Sequence, residues 1–241
     1  MAHDARRAVA VWAATACAAA LAPPAAGQGV HIAGTTTTQG MWNVQDGAGF
    51  RWDIRPDGTV GDGNNDCYDG GMRLRINGAQ FGGSAGRLSA DKREIEYGPV
   101  TMGKLKVWRR IYVDPKVSYC RWIDIIENTA DAPAQVQIEH YSNMGTSTQR
   151  CHRVKDKHGK NEWAFATAQG THRPAVAHIY ATPRAKLRPK PNIQQHNDDI
   201  RLNTTLPIGP RRTVALCVFH AQRGSFEEAK AFIEKLDLAK E

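Results

Sequence analysis

The sequence predicts an all-β fold, an antiparallel β-sandwich with one C-terminal α-helix. Three observations lead to this fold class. Three consecutive strands with turns between them lie from Leu105 to Gly145, strand-like alternation continues on both sides of them, and an amphipathic helical stripe follows Ser225. With 241 residues, 41% hydrophobic and 23% charged, the chain has the composition of one globular domain.

The first of the three strands runs from Leu105 to Val113 and alternates every second residue. One side carries Leu105, Val107, Ile111 and Val113, and the other carries Lys106, Trp108, Arg110 and Tyr112. Arg109 interrupts the apolar side. The pattern predicts a half-buried strand, which Asp114 and Pro115 end because proline offers no ladder donor.

The second strand, Ser118 to Glu127, is apolar on both faces, which is typical of a central strand covered from two sides. Turn-forming residues follow from Asn128 to Pro133. Ala134 to Tyr141 then alternates again, so we expect an antiparallel return with one solvated face.

The sequences RWIDIIEN (Arg121 to Asn128), TADAP (Thr129 to Pro133) and VQI (Val136 to Ile138) carry a resemblance to a known family. Together they resemble supersandwich-type, galactose-mutarotase-like β-domains of secreted bacterial proteins, from about Phe50 to the C-terminus. Carbohydrate-active enzymes carry relatives of that domain as accessory modules. The resemblance implies a fold, and its motifs are not catalytic ones.

Further strands are predicted on both sides of this region. They are Phe50–Arg55, Met72–Ile76 closed by an Asn77-Gly78 turn, Arg93–Val100, 163–168, 175–181, Ile200–Leu206 and the doubly apolar Val214–Phe219. Gly82 to Ser89 is expected to be a flexible connection. The polar stretch 146–161 is predicted to be a long loop and a candidate functional surface, and Pro183 to Pro191 an extended surface segment.

The chain is predicted to end in a helix over about 225–238. Ser225 and Glu228 have the spacing of a capping box, and the apolar positions Phe226, Ala229, Phe232, Ile233 and Leu236 form one stripe. A helix of this kind covers part of an otherwise all-β domain. We therefore expect one domain over 28–241, including the helix.

The N-terminus has the layout of a secretory signal peptide over 1–27. Arg6 and Arg7 precede an alanine-rich apolar run, and small residues lie around Gly27. The run is short for a membrane span, so after cleavage we expect no transmembrane segment and a secreted or periplasmic protein. Lipidation at Cys17 is an alternative that the sequence leaves open.

The chain is moderately basic. Its formal net charge is +8, and loss of Arg6, Arg7 and Asp4 with the signal peptide would leave +7. Such a charge serves solubility, or it attracts anionic polymers such as acidic polysaccharide, lipopolysaccharide or nucleic acid. The candidate partner is a polysaccharide or an anionic polymer of the cell envelope. No basic helix or aromatic-basic RNA motif is visible, so we expect no nucleic-acid partner.

Four cysteines remain after cleavage: Cys67, Cys120, Cys151 and Cys217. An even number in an oxidising compartment favours disulfides, but the sequence does not choose among three connectivities. Buried free thiols are the alternative, particularly for Cys120 and Cys217 in predicted strands.

No complete catalytic motif is present in the sequence. There is no HExxH zinc signature and no G-x-S-x-G nucleophile elbow. Carboxylates such as Asp124 with Glu127, or Glu139 with Asp53, could converge in a glycosidase, but their spacing favours structural roles. His140, His178 and His220 fall on apolar strand faces, where hydrogen-bonded core histidines are expected.

Trp108, Arg110 and Tyr112 form the candidate ligand-binding site. Aromatic rings beside a cation on the polar side of a strand are suited to stacking on a sugar ring and to hydrogen bonding its hydroxyls. The alternative is that another element buries that face.

The segment 57–69 is a candidate calcium loop. Its oxygen ligands would be Asp57, Asp62, Asn64, Asp66 and Asp69, spaced among glycines that let the backbone curl. The pattern departs from an EF-hand because Cys67 follows Asp66 and Arg73 occupies the place of the closing glutamate. A turn-rich loop without metal is the alternative.

These features predict an exported, non-catalytic β-sandwich protein that binds an extracellular or cell-envelope carbohydrate. Two alternatives stay open at this stage. One is a carbohydrate-active enzyme of mutarotase or polysaccharide lyase type, which rests on the resemblance in fold, and the other is a structural envelope protein.

Overall fold

The structure is a computed structural model that describes residues 32, 36–38, 40–83, 85–170, 172–194 and 196–238. The predicted signal peptide and Cys17 lie outside these residues. The strands of the described part are β1 (Thr36–Thr38), β2 (Trp42–Gln45), β3 (Arg51–Ile54), β4 (Arg73–Ile76), β5 (Ala79–Gln80), β6 (Gly86–Leu88), β7 (Glu94–Met102), β8 (Leu105–Val113), β9 (Cys120–Asn128), β10 (Ala134–Asn143), β11 (Arg150–Lys155), β12 (Glu162–Ala168), β13 (Ala175–Ile179), β14 (Lys190–Ile193), β15 (Asp199–Ile208) and β16 (Thr213–Arg223). A short 3-10 turn spans Asn64–Asp66, and helix α1 spans Phe226–Leu238.

The strands form an antiparallel β-sandwich, which confirms the predicted fold class. The larger sheet has nine strands in the order β1-β6-β7-β8-β9-β16-β13-β12-β11. The smaller has five, in the order β14-β15-β10-β4-β5, and β2 pairs with β3 as a separate hairpin.

The two strands predicted to be central occupy the middle of the large sheet. β9 pairs with β8 on one side and β16 on the other, and β16 pairs next with β13. Alternate residues of these strands therefore point either to the interior between the sheets or to the outer side. This explains why both strands are apolar on two faces.

The interior is filled by large side chains from both sheets and from the β2–β3 hairpin. Trp52, Trp122 and Trp163 are fully buried. The indole N–H of Trp122 donates to the carbonyl oxygen of Gly58 at 3.0 Å. Gly58 has φ +74, and a Cβ there would lie 2.6 Å from Cδ of Arg109, so this turn requires glycine.

Helix α1 lies on a bed of small residues. The outward positions of β12, β13 and β16 beneath it are alanines, all buried: Ala166, Ala168, Ala175, Ala177 and Ala221. Small side chains let the helix backbone approach the sheet closely. The buried face of the helix includes Phe226, Ala229 and Ile233, as its apolar stripe predicts.

Two local predictions were wrong. The stretch 146–161 contains β11, whose residues pair with β12 in spite of their polarity, and the connection Gly82–Ser89 contains β6. The segment predicted to be extended, Pro183–Pro191, leads into the edge strand β14, and β2 lies where no strand was predicted. In each case pairing with a neighbouring strand outweighs weak local β propensity.

Disulfides are not found among the described cysteines, since Cys67, Cys120, Cys151 and Cys217 are all free thiols. Cys120 and Cys217 lie on the paired strands β9 and β16, and the register between these strands explains why they form no disulfide. Cys120 is opposite His220, which points into the interior, whereas Cys217, three residues before His220, points outward. Side chains on opposite faces of a sheet cannot be bridged.

Candidate functional site

The predicted ligand-binding residues lie on the outer side of the large sheet. Trp108, Arg110 and Tyr112 alternate along β8 with the buried Val107, Arg109 and Ile111, so all three project away from the interior. Helix α1 contacts β11, β12, β13 and β16. The stretch of outer face formed by β7, β8 and β9 lies beside it.

Trp108 differs from the other two residues of the predicted site. It is only 9% exposed, while Arg110 and Tyr112 are half-buried. Trp108 is therefore buried, as expected if another element covers this part of the strand, and it is not available for stacking on a sugar ring. A ligand on this face would meet Tyr112 and Arg110 first.

Strand pairing adds residues that the sequence did not assign to the site. Tyr112 is opposite Arg121 on β9, and Arg121 is opposite Phe219 on β16. Tyr119 lies between the two outer rings, with centroid distances of 6.2 Å to Tyr112 and 5.5 Å to Phe219. We call this surface the outer aromatic face and define it by Glu94, Arg110, Tyr112, Tyr119, Arg121 and Phe219.

Glu94 of β7 fixes the two cations of this face. Its carboxylate accepts hydrogen bonds from Arg110 at 2.9 Å and from Arg121 at 2.8 Å. The guanidinium carbon of Arg121 lies 5.1 Å from the centroid of the Tyr112 ring. Arg121 is thus held beside an aromatic ring, and its guanidinium group, half-buried at the surface, is positioned to contact a ligand.

The tyrosine hydroxyls of the face stay protonated at neutral pH. Burial, with the nearby Asp114 carboxylate, raises the pKa of Tyr112, and burial raises the pKa of Tyr119 to about 12. Both hydroxyls can therefore donate as well as accept hydrogen bonds. The face combines rings, hydroxyls, guanidinium groups and one carboxylate.

A second polar cluster crosses the interior between the two sheets. Nε of Arg109 lies 2.9 Å from Oδ1 of Asp124, an ion pair without good hydrogen-bond alignment, and Nε2 of His140 lies 2.6 Å from Oδ2. All three side chains are at most 1% exposed. Burial by itself would raise the pKa of Asp124, but Arg109 and the bond from His140 outweigh it and lower this pKa.

A small cavity lies next to this cluster. Its walls are formed by His140, Tyr180, Leu187, Pro189 and residues 215–218 of β16, and its volume is about 20 Å³. That volume accommodates about one water. Nδ1 of His140 and the hydroxyl of Tyr180 have no protein partner among the described residues, so a water there can satisfy them.

The other two core histidines belong to a separate buried chain of side chains. The Tyr68 hydroxyl lies 3.0 Å from Nδ1 of His220, Nε2 of His220 lies 3.1 Å from Nδ1 of His178, and Nε2 of His178 lies 3.0 Å from Thr167. Burial lowers the pKa of His220 to about 3 and that of His178 well below its usual value. All three core histidines are hydrogen-bonded, as predicted.

The predicted calcium loop closes one end of the sandwich. Asp53, on the neighbouring strand, accepts the backbone N–H groups of Asp62 and Gly63 at 2.9 and 2.7 Å. Asp57 accepts the N–H of Thr59, and the carboxylate of Asp66 lies 2.6 Å from Arg173. The described part of the chain contains no cluster of three or more His, Cys, Asp or Glu side chains able to hold a metal ion. Calcium binding stays a prediction, and a calcium ion would have to compete with Arg173 for the carboxylate of Asp66.

Asp62, Asn64 and Asp69 occupy different parts of that loop. The exposed Asp62 carboxylate lies 3.9 Å from Arg51, the backbone N–H of Asn64 donates to Gln222, and that of Asp69 donates to Asn143. The spacing of two residues between Asp62, Asn64 and Asp66 predicted that their side chains converge on one ion. The left-handed backbone at Asn65 and Asp66, with φ of 49 and 57, changes the direction of the chain between them.

Comparisons with known proteins give likenesses of fold. No family model matches the chain, and no curated protein does. Among solved structures, the chain is similar to a proposed aldose 1-epimerase from Klebsiella pneumoniae, with 10% identity, coverage of 80% of this chain and 81% of that one, and a TM-score of 0.47. It is also similar to a proposed aldose 1-epimerase from Escherichia coli K12, with 7% identity, coverage of 78% and 99%, and a TM-score of 0.47.

A polysaccharide lyase is a third match, with 14% identity and a TM-score of 0.42. The match covers 86% of this chain, which spans about a third (33%) of the lyase. We infer no activity from matches this distant.

The described residues include no helix whose length and hydropathy would allow it to cross a bilayer.

Proposed function

We propose that the protein is an exported, non-catalytic carbohydrate-binding protein and that the outer aromatic face is its binding surface. The observation that carries this proposal is the row Glu94, Tyr112, Arg121 and Phe219, which lies side by side on four adjacent positions of the large sheet. A ring with charged hydrogen-bonding groups on either side suits a sugar, which has apolar C–H faces and hydroxyl edges. Export rests on the sequence pattern of residues 1–27.

The position of the acid–base groups supports binding over catalysis. Asp124, with Arg109 and His140, is buried between the sheets beside a cavity of about one water. A sugar bound on the outer aromatic face lies on the opposite side of the large sheet from these groups. A mutarotase or lyase activity would need a general base in contact with substrate. On the outer aromatic face the Glu94 carboxylate accepts hydrogen bonds from Arg110 and Arg121, and the raised pKa values of Tyr112 and Tyr119 keep their hydroxyls protonated, so neither kind of group is set up as a base.

A glycan array followed by isothermal titration with the best oligosaccharide tests this function. Tyr112→Ala is expected to weaken binding at least tenfold, about 1.4 kcal/mol, because the ring loses its stacking contact. Tyr112→Phe retains the ring and is expected to retain most of the affinity. Arg212→Gln, an exposed arginine in the β15–β16 turn, is the matched control.

Reducing-sugar and anomer-interconversion assays on the same preparation test the alternative. Turnover that survives repurification would overturn the non-catalytic proposal. A protein that shows neither binding nor turnover would instead fit a structural role in the envelope.

A further inference from the structure

The outer side of the five-stranded sheet is a polar surface on the opposite side of the molecule. Its outward positions alternate with buried Val136, Ile138 and His140 along β10 and with the buried residues of β15. The exposed outward side chains are mostly amides, hydroxyls and one lysine: Gln137, Lys190, Asn192, Asn203 and Thr205. A flat, hydrogen-bonding sheet face of this kind is accessible to an extended ligand.

Three arginines meet over one aromatic ring in the middle of this surface. Their guanidinium carbons lie 5.5 Å (Arg73), 5.7 Å (Arg75) and 4.5 Å (Arg201) from the centroid of the Tyr141 ring. Arg73 and Arg201 flank Tyr141 on the two neighbouring strands, directly opposite it in the register. Tyr141 is 9% exposed because the guanidinium groups cover it.

Two carboxylates hold the arginines in place without balancing their charge. Glu139 lies 3.0 Å from Arg75 and 3.3 Å from Arg201, and Asp199 lies 3.2 Å from Arg201. The Tyr141 hydroxyl donates to Asp199 at 2.6 Å. Arg73 donates to the backbone carbonyl oxygen of Asp69. Three guanidinium groups therefore face two carboxylates, and Lys190 adds a further positive charge nearby.

The arginines are ordered in advance and still accessible. The side chains of Arg75 and Arg201 are 37% and 33% exposed. A guanidinium group stacked on a ring keeps its N–H edges free to form in-plane, bidentate bonds with a carboxylate. Because the guanidinium carbons of Arg73 and Arg201 lie 5.5 Å and 4.5 Å from the same ring centroid, the two groups are close neighbours, at most about 10 Å apart. We call this surface the arginine face, defined by Arg73, Arg75, Glu139, Tyr141, Asp199 and Arg201.

We infer that the arginine face binds a carboxylate-bearing polysaccharide, a polyuronate chain laid across the small sheet. The planar cations match the carboxylates of the sugar units, and the surrounding amides and hydroxyls match the sugar hydroxyls. The open surface suits a polymer better than a small molecule, which needs a concave pocket. Nucleic acid fits less well, because Glu139 and Asp199 would lie next to closely spaced phosphates.

This site is independent of the outer aromatic face, so the two can be tested separately. Isothermal titration of the purified protein with oligogalacturonate at low salt is expected to give binding. The methyl-esterified form of the same oligomer, which lacks the charges and keeps the sugar backbone, is expected to bind at least tenfold more weakly. Raising the salt concentration should weaken the oligogalacturonate complex.

Variants on the two faces assign the binding surface. Arg73→Gln with Arg201→Gln is expected to weaken oligogalacturonate binding at least tenfold, whereas Arg212→Gln leaves it unchanged. Tyr112→Ala reports separately on the outer aromatic face. Arg201→Lys keeps the charge and loses the planar fork, so it is also expected to weaken binding. Should the double variant fold poorly, Arg73→Gln alone serves, since Arg73 contacts a backbone carbonyl and its loss leaves both carboxylates paired.

Four results would overturn the inference. The first two are equal affinity for the esterified oligomer and unchanged affinity of the folded arginine variants. The third is tighter binding of a DNA duplex with the same dependence on Arg73 and Arg201, which would indicate general attraction to polyanions. The fourth is loss of binding on Tyr112→Ala alone, which would place the uronate on the outer aromatic face instead.

Discussion

At the scale of single residues, Arg109 shows how one side chain that breaks a pattern reports on tertiary structure. It interrupts the apolar side of β8, and the structure places it in the interior opposite Asp124 on β9. Removing one partner of a buried ion pair leaves an uncompensated charge, which costs more than the pair itself contributes.

Arg109→Met is therefore expected to destabilise the protein by about 3–5 kcal/mol. Urea unfolding followed by tryptophan fluorescence measures this loss. The double variant Arg109→Met with Asp124→Asn is expected to recover much of the stability, because no buried carboxylate then remains unpaired and the amide keeps a hydrogen-bond partner for His140. A double variant less stable than Arg109→Met would contradict this explanation.

The buried histidines predict a loss of stability in mild acid. The pKa values of His178 and His220 lie below the unfolded value of about 6.5, so the unfolded chain binds more protons as pH falls below that value. The free energy of unfolding is then expected to fall by up to about 1.4 kcal/mol per pH unit for each histidine, between about pH 6.5 and, for His220, about pH 3.

Urea unfolding at pH 7.5, 6 and 5 measures this dependence. His178→Asn is expected to reduce the slope, whereas His158→Gln, in an exposed turn, leaves it unchanged. A free energy of unfolding that is constant between pH 7 and 5 would show that burial does not keep either histidine neutral.

At the scale of elements, the C-terminal helix was predicted almost to its ends. The Ser225 hydroxyl accepts the backbone N–H of Glu228 at 3.2 Å, and the Glu228 carboxylate accepts the N–H of Gly224 at 3.1 Å. The capping box and the apolar stripe of the helix are both formed by residues close in sequence, so they can be predicted from the sequence alone. What the helix covers, the alanine bed of the large sheet, is not a local property.

Ser225→Ala is expected to lower the free energy of unfolding by about 1 kcal/mol, because it leaves an N–H group of the first turn without its acceptor. Thermal or urea unfolding measures the change. Ser225→Asp, which retains an acceptor, is the matched control. An unchanged midpoint in the alanine variant would mean that the first turn contributes nothing to global stability.

The loop 57–69 carries the calcium prediction. A calcium ion that recruits Asp62 and Asp66 has to displace Arg173 from Asp66, so we expect weak binding that Arg173→Gln strengthens. Titration of calcium into chelator-treated protein measures it, with Asp62→Ala plus Asp66→Ala as the negative control. A silent titration of both the parent and Arg173→Gln at millimolar calcium would show that the loop is a set of turns alone.

At the scale of the whole molecule, the sandwich separates three chemistries. The interior contains the neutralised Arg109–Asp124–His140 cluster, the large sheet presents the outer aromatic face beside α1, and the small sheet presents the arginine face. Strand alternation is sufficient to produce this separation, since it sends neighbouring residues such as Arg109 and Arg110 to opposite sides.

The middle of the large sheet should also be the most stable part of the molecule. Hydrogen exchange is expected to be slowest in β9 and β16, which are paired on both sides and covered inside. The edge strands β1 and β11 provide the comparison. Exchange in β9 as fast as in β11 would contradict the central position of that strand.

The sequence by itself determined the all-β class, the central strands, the core histidines and the C-terminal helix. Each of these follows from periodicity, capping or turn chemistry within a few consecutive residues. It also identified Trp108, Arg110 and Tyr112 as outward residues of one strand.

Only the tertiary structure decided which residues join them. Tyr119, Arg121 and Phe219 enter the outer aromatic face, and Arg73 and Arg201 meet at Tyr141, through the register between strands far apart in the chain. Register depends on the packing of whole faces, so a local pattern cannot supply it. The same reason explains the polar strand β11, which exists because β12 pairs with it, and the burial of Trp108, which its own strand does not reveal.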